Sequence, residues 1–263
     1  MYKIIIPSYK RDDIIFTHTL ICIQESDLKN REIFVFVADA AEFAIYDKKL
    51  KPLGITVVQG VRGIPNQRNF IQKYFAEGEH LLFIDDDIKR IIGLNKEGKR
   101  VVATRLDSFV TKAFEITEKL NLKMFGINST NSNLEMKQSV SVGLIYLVGN
   151  FYGLINTHSV LVDEGDKIKA RKDYRAGKES HERALSMFKR YGGVVKFRSF
   201  GVISEYWGVK GGHQVSRNAD GEKEATLVLH KLYPDITKIR IYKDVFDLTI
   251  PAKTKVFNTQ FIQ

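Results

Sequence analysis

The sequence predicts an α/β fold in which a mostly parallel central sheet carries helices on both faces. Short apolar, β-branched segments alternate with amphipathic segments, which is the pattern of repeated strand–helix–strand units. The predicted strands of the first half are Tyr2–Ile6, Glu32–Ala38, Ile55–Gln59 and Leu81–Ile84. Polar residues follow each of these strands, and in open sheets of this class ligands bind beyond the carboxyl ends of the strands. We therefore expect a binding site at that edge.

The segments between the strands carry helix signals. Asp12 or Asp13 can cap a helix that runs to about Glu25, and apolar residues at helical spacing follow Pro65 from Asn66 to Phe75. In the second half we predict a helix capped by Asp107 and two further helices, Ser180–Tyr191 and Glu222–Tyr233. The two predicted strands are Lys123–Ile127 and Val140–Val148. These strands predict a smaller antiparallel extension of the sheet.

Length and composition favour one domain in the cytoplasm. With 263 residues, 44% of them hydrophobic, the chain can bury a full core as a single domain over 1–263. The longest apolar stretch, Val142–Ile155, is interrupted by Gly149, Asn150 and Gly153, so no membrane span is expected. The first residues lack the pattern of a signal peptide. Cys22 is the only cysteine, which excludes an internal disulfide and fits a reducing compartment.

The chain is basic, with a net charge of +10. Lys167–Arg198 holds eleven Lys or Arg residues against three acids, a local charge of +8. A basic face attracts polyanions such as DNA. Many basic proteins bind no nucleic acid, so the charge leaves both interpretations open.

Three consecutive carboxylates, Asp85, Asp86 and Asp87, follow the fourth predicted strand. Clustered carboxylates raise each other's pKa unless a cation joins them. Oxygen ligands suit Mn²⁺ or Mg²⁺, which would bridge to a diphosphate. In extended geometry Asp85 and Asp87 share a face while Asp86 points away. We predict Asp87 as the main metal ligand and Asp85 as a second ligand or a contact to the ribose. The alternative is a solvated turn or a helix N-terminus.

Candidate groups for proton transfer lie in the second half. A hydroxyl that acts as a nucleophile must lose its proton, and Glu179, His181 and Glu182 could accept it. The two glutamates are equally typical of the first turn of a helix. His213, after two glycines, could bind a diphosphate or the metal, and Arg217 could bind the diphosphate. An ordinary loop histidine is the alternative for His213.

The first 90 residues resemble the nucleotide-sugar-dependent glycosyltransferases of the GT-A fold. The resemblance rests on Asp39 and on three segments: Ile4-Ile5-Ile6-Pro7-Ser8-Tyr9-Lys10-Arg11, Gly63-Ile64-Pro65-Asn66-Gln67-Arg68-Asn69 and the DXD-like Phe83-Ile84-Asp85-Asp86-Asp87. It implies that the nucleoside is held by the first segment and Asp39, the base or diphosphate by Arg68, and the metal by the acidic run. The residues assigned to the donor are accordingly Pro7, Ser8, Tyr9, Asp39, Arg62, Arg68 and Asp86.

The second half is similar to the TET-associated, mostly phage-encoded DNA glycosyltransferases. The similarity rests on Glu179-Ser180-His181-Glu182, Phe197-Arg198-Ser199-Phe200 and the segment Gly211-Gly212-His213 through Arg217. It implies a nucleotide-sugar half (1–105), an acceptor half (106–263), a UDP-sugar donor such as UDP-glucose, and transfer to a hydroxymethylated pyrimidine such as 5-hydroxymethylcytosine in DNA. A phage enzyme would act in the host cytoplasm.

One residue departs from this family pattern, and two other functions stay open. Ser180 stands where the family has a second acid, which leaves the catalytic base open. One rival is a GT-A glycosyltransferase for a glycan, lipid or protein acceptor. The other is a basic nucleic-acid-binding protein without enzymatic activity.

Overall fold

Strands and helices alternate through the first half of the chain, as the sequence predicts. The structure is a computed structural model and describes residues 1–160, 178–204, 219–242 and 245–258. The helices are α1 (Asp12–Thr17), α2 (Thr19–Gln24), α3 (Ala40–Leu50), α4 (Ile64–Tyr74), α5 (Leu106–Lys119), α6 (Glu179–Tyr191) and α7 (Ala219–Leu232). The strands are β1 (Tyr2–Pro7), β2 (Ile33–Val37), β3 (Thr56–Gln59), β4 (His80–Ile84), β5 (Ile88–Leu94), β6 (Arg100–Val102), β7 (Met124–Asn128), β8 (Ser139–Leu144), β9 (Phe151–Ile155), β10 (Val194–Ser204), β11 (Lys238–Tyr242), β12 (Val245–Thr249) and β13 (Lys253–Asn258).

The first four strands form a parallel sheet in the order β4-β1-β2-β3. Strand β1 lies in the centre, where Ile4 pairs with Ile33 of β2 and Leu82 of β4. Because all four strands run in one direction, their carboxyl ends meet at one edge of the sheet. The predicted α/β class is confirmed.

The second half continues the same sheet with mostly antiparallel pairs, and β10 pairs parallel with β7. Strand β9 pairs antiparallel with β4 and with β7, and the sheet then extends through β10 and β8 to β13. Strands β5 and β6 form a hairpin on β10. The prediction of a strand over Val140–Val148 is too long, because β8 ends at Leu144 while Ile145 and Leu147 stay buried without strand pairing. These residues are apolar because they are buried, not because they belong to a strand.

Both faces of the sheet are covered, because successive strand residues point to opposite sides. Ile4 and Ile6 pack in a core with residues of α2, α3 and α5, whereas Ile5 packs in a second core with residues of α4 and α6. Cys22 is buried in the first core. None of the described helices is long and apolar enough to cross a membrane.

Two helix predictions are corrected by tertiary contacts. The helix from Asp12 to Glu25 is two short helices that break at His18, where the Thr19 hydroxyl donates to the Asp85 carbonyl at 2.7 Å and accepts from the Ile88 amide at 3.0 Å. Asp107 does not cap α5 but lies inside its first turn. Its carboxylate accepts hydrogen bonds from Tyr2 and Arg31 instead.

Candidate active site

The carboxyl edge of β1–β4 gathers most of the residues predicted for the donor. Ser8 follows β1, Asp39 follows β2, Arg62 comes shortly after β3, and the acid turn, Asp85–Asp87, follows β4. Asp39 and Arg68 lie on this same edge, as one donor pocket requires. The topology of a parallel sheet places these distant segments together.

Asp86 is buried and forms the support of the acid turn. Its Oδ2 accepts a hydrogen bond from the Ser8 hydroxyl at 2.6 Å, and its Oδ1 accepts from Arg11 Nη1 at 2.8 Å. The same Arg11 nitrogen lies 3.0 Å from Asp87 Oδ2. Ser8 also lies 2.8 Å from the Tyr46 hydroxyl. Ser8 and Asp86 were predicted as donor contacts, but in this structure their side chains bond to one another, and Arg11 balances the charge of the turn.

Arg11 was not among the residues predicted for the site. Its position could have indicated a role, because it lies directly after β1, at the edge where ligands bind in this class of sheet. The guanidinium is 8% exposed, so its charge is directed at Asp86 and Asp87 rather than at solvent. Arg11 and Ser8 together hold Asp86 in the interior, whereas Asp85 and Asp87 keep part of their carboxylate surface exposed.

Asp85 and Asp87 are the accessible carboxylates of the acid turn. Their side chains are 32% and 14% exposed, against 6% for Asp86. Desolvation outweighs the nearby Arg68 and raises the pKa of Asp85 to about 7. The pKa of Asp86 rises to about 6 and that of Asp87 also rises, again mainly through desolvation. A cation beside these carboxylates would favour their ionised form and offset the cost of desolvation.

The donor atoms of the turn fit a hard divalent cation. Carboxylate oxygens are the ligands of Mg²⁺ and Mn²⁺, which commonly use one or two carboxylates with substrate phosphates and water. No group of three or more His, Cys, Asp or Glu residues that could hold a metal occurs among the described residues. The two accessible carboxylates suit an ion that takes further ligands from a diphosphate and water.

Arg68 connects the acid turn to helix α6. Its Nη2 lies 3.1 Å from Asp85 Oδ1 and donates to the Gly149 carbonyl at 2.8 Å, and its Nη1 lies 2.5 Å from Glu179 Oε2. Gly63, with a φ of 90°, and Pro65 begin helix α4, which carries Arg68 to this place. A Cβ at Gly149 would overlap the guanidinium, so a larger residue there would displace Arg68 from this position.

Glu179 lies in a buried ion-pair network with two arginines. Its carboxylate contacts Arg68 and Arg183 and accepts from the Ser180 hydroxyl. The Arg183 guanidinium is 2% exposed and lies 4.3 Å from the centre of the Tyr152 ring. Its burial lowers its pKa to about 9. Glu179 was predicted as a catalytic base, and in this structure it holds Arg68 against Asp85.

The other two base candidates are also buried in the first turn of α6. His181 stacks on Tyr146, with 4.1 Å between the ring centres. Desolvation, with the charge of Lys178, lowers the pKa of His181 to about 4, so its imidazole is neutral and weakly basic at pH 7. Glu182 is 7% exposed. Both remain predictions as catalytic residues.

The nucleoside end of the predicted pocket is more exposed. Tyr9 accepts a hydrogen bond from Arg62 Nη2 at 2.7 Å, and the cations of Arg62 and Lys10 lie 5.4 and 5.3 Å from the centre of its ring. Asp39 caps α3 by accepting from the Glu42 amide at 3.1 Å. Pro7 ends β1. These side chains form an aromatic and cationic surface beside the acid turn.

Part of the predicted acceptor half lies outside the described residues, including His213 and Arg217 and much of the basic window. Within the described part of that window, Lys178 and Arg183 are buried in ion pairs. Lys189 and Arg190 are exposed, but they lie in the last turn of α6. The neighbouring Tyr191 hydroxyl is 2.8 Å from Thr157, just past the end of β9 that pairs with the start of β4. That end of α6 is therefore at the edge opposite the acid turn.

The fold is shared with solved glycosyltransferase structures. TarS of S. aureus in complex with UDP-GlcNAc matches with a TM-score of 0.50 and 19% identity. The match covers 86% of this chain and 65% of the TarS chain. Glucosyl-3-phosphoglycerate synthase of Mycobacterium tuberculosis, solved with Mn²⁺, UDP and glucosyl-3-phosphoglycerate, matches with a TM-score of 0.51 and 11% identity over 100% of this chain and 92% of its own. No protein-family model and no curated protein sequence matches.

These identities are low enough that the comparisons bear on the fold alone. Both matches extend well beyond the parallel strands into the second half of the chain. The mixed α/β sheet flanked by helices is that of the GT-A glycosyltransferases.

Proposed function

We propose that this chain is a metal-dependent glycosyltransferase that uses a UDP-sugar donor. The proposal depends chiefly on one observation: Asp85 and Asp87 are the accessible carboxylates at the carboxyl edge of a GT-A sheet, beside the Tyr9 and Arg62 surface. Mn²⁺ or Mg²⁺ bound there would stabilise the negative charge of the departing diphosphate. The UDP and Mn²⁺ in the solved M. tuberculosis enzyme support the choice of donor and metal by analogy.

We assign metal binding, donor binding and proton transfer to different residues of the chain. Asp87 and Asp85 would hold the cation, and Arg11 and Ser8 fix the neighbouring Asp86 in the interior. Arg68 orients Asp85 and brings a positive charge to the donor side. Tyr9, Arg62 and Asp39 hold the nucleoside. Glu182 is the remaining carboxylate candidate for the base, because Glu179 is committed to two arginines.

We propose a hydroxymethylated pyrimidine in DNA as the acceptor. The support is the resemblance of the second-half segments to the TET-associated DNA glycosyltransferases, together with the net charge of +10. A glycan, lipid or protein acceptor is the rival, and the burial of Lys178 and Arg183 favours it by removing two cations from the basic window.

The test is an acceptor panel. UDP release should be measured from several UDP-sugars in the presence of Mn²⁺, with plain DNA, hydroxymethylated DNA and free glycans. We expect release well above hydrolysis only with hydroxymethylated DNA and one preferred sugar. Equal stimulation by plain DNA, or stimulation by glycans alone, would contradict the DNA acceptor, and failure to bind UDP with Mn²⁺ would contradict the enzyme itself.

Metal affinity should depend on pH. Because the pKa of Asp85 is raised to about 7, below pH 7 the ion must displace a proton, and affinity should fall about tenfold per pH unit. A raised pKa in the folded state means that stability without metal decreases as the pH rises towards 7, and Mn²⁺ should reverse this trend. Mn²⁺ titrations and melting curves between about pH 5 and 8 test both. A constant affinity over that range would rule out Asp85 as a ligand.

A further inference from the structure

The β5–β6 hairpin is a basic surface that begins directly at the acid turn. From Ile88 to Arg105 the chain carries six Lys or Arg residues and one acid, Glu97, a local charge of +5. All six cations are exposed: Lys89, Arg90, Lys96, Lys99, Arg100 and Arg105. In the described part of the predicted basic window, Lys178 and Arg183 are buried in ion pairs. Lys189 and Arg190 lie at the opposite edge, and Lys196 and Arg198 are half-buried on β10.

The hairpin also forms one wall of a groove. A shallow open groove of about 530 Å³ is lined by Lys99, Arg100, Val101 and Val102 of the hairpin, by Ile92, and by Asn131 and Asn133 of the facing loop. Arg100 Nη1 donates to the Asn131 carbonyl at 2.9 Å and joins the two walls. The lining residues are cationic, amide and apolar, with no carboxylate among them. Such a lining can bind phosphate and contact the apolar faces of sugars or bases.

Topology places the groove within reach of the acid turn. Strand β5 starts one residue after Asp87, and Ile92 lies five residues after it, roughly 16 Å along a strand. That distance corresponds to about five nucleotides of one DNA strand at a rise of about 3.4 Å. A DNA strand that lies along the hairpin could therefore place one nucleotide at the acid turn.

We infer that the hairpin groove binds the phosphate backbone of the acceptor DNA. The inference rests on the proposed function and adds the surface along which the acceptor lies. It moves the contact from the Lys167–Arg198 window to residues 88–105. The bound strand is held through phosphates, so the contact does not depend on the base modification.

The experiment compares two double charge reversals that change the net charge equally. Lys99→Glu with Arg100→Glu alters the groove, and Lys189→Glu with Arg190→Glu alters exposed cations at the far edge. Binding of an unmodified duplex oligonucleotide is measured against salt concentration. We expect the groove variant to bind at least ~10-fold more weakly than the wild type. The slope of log binding constant against log salt concentration should become shallower by up to about 2. The control variant should stay within about twofold of the wild type.

Several outcomes would overturn the inference: equal weakening of both variants, weakening of the control alone, or no effect of either. Preferential binding of the wild type to phosphatidylglycerol vesicles would identify a lipid surface instead.

UDP binding with Mn²⁺, measured on the same proteins, should be unchanged in the groove variant. If the groove binds DNA but no UDP-sugar is turned over, the proposed function fails and the surface stands. If turnover persists on DNA while the groove variant binds normally, the surface fails and the function stands.

Discussion

Replacement of Asp87 by asparagine should abolish sugar transfer while the protein stays folded. The carboxylate is a metal ligand in our proposal, and its loss removes the cation from the leaving diphosphate, so kcat/KM should fall at least ~10³-fold. EDTA should do the same to the wild type. Because desolvation raises the pKa of Asp87, the neutral asparagine should melt no lower than the wild type in the absence of metal. UDP release and melting curves measure both effects.

Asp107→Asn is the matched control for this prediction. Asp107 is also a partly buried carboxylate paired with an arginine, Arg31, but it contacts Tyr2 at the amino end of β1. The control should retain activity even if it lowers the melting temperature. Full turnover by the Asp87 variant, or by the wild type in EDTA, would show that the acid turn binds no catalytic metal.

Replacement of Glu179 by glutamine should strongly destabilise the protein. Glu179 balances Arg68 and Arg183, both almost fully buried, and its loss leaves two guanidinium groups without their shared counter-charge. Breaking a buried pair costs about 3–5 kcal/mol, which corresponds to a fall of roughly 10 °C in melting temperature. Transfer should weaken as well, because Arg68 is no longer held against Asp85.

A second substitution separates this role from that of a catalytic base. Adding Arg183→Met to Glu179→Gln removes one of the unbalanced charges and should recover a large part of the lost stability. If Glu179 acts as the base, the single variant should instead keep its melting temperature and lose kcat alone. That pattern would restore the role predicted from the sequence and contradict the network interpretation.

The sequence by itself determined the parallel half of the fold and the edge where the candidate site lies. The alternation of apolar strands and amphipathic helices is a local property, and so is the position of Ser8, Asp39 and Asp85–Asp87 after their strands. These residues could therefore be assigned to one edge from the local pattern alone. The second half was harder to predict, since β9 and β10 pair with strands far away in sequence, and burial extended the apolar pattern past the end of β8.

Only the tertiary structure decided what each side chain contacts. Three carboxylates in a row look alike in a sequence, but Arg11 and Ser8 select Asp86 for the interior and leave Asp85 and Asp87 accessible. Glu179 lies at a helix start, where the sequence predicts a catalytic base, and only the folded chain brings Arg68, far earlier in the sequence, beside it. The net charge of a segment does not predict its surface until burial is known, because Lys178 and Arg183 are buried in ion pairs whereas the six cations of residues 88–105 are exposed. Long-range contacts set these roles, and local sequence patterns do not encode them.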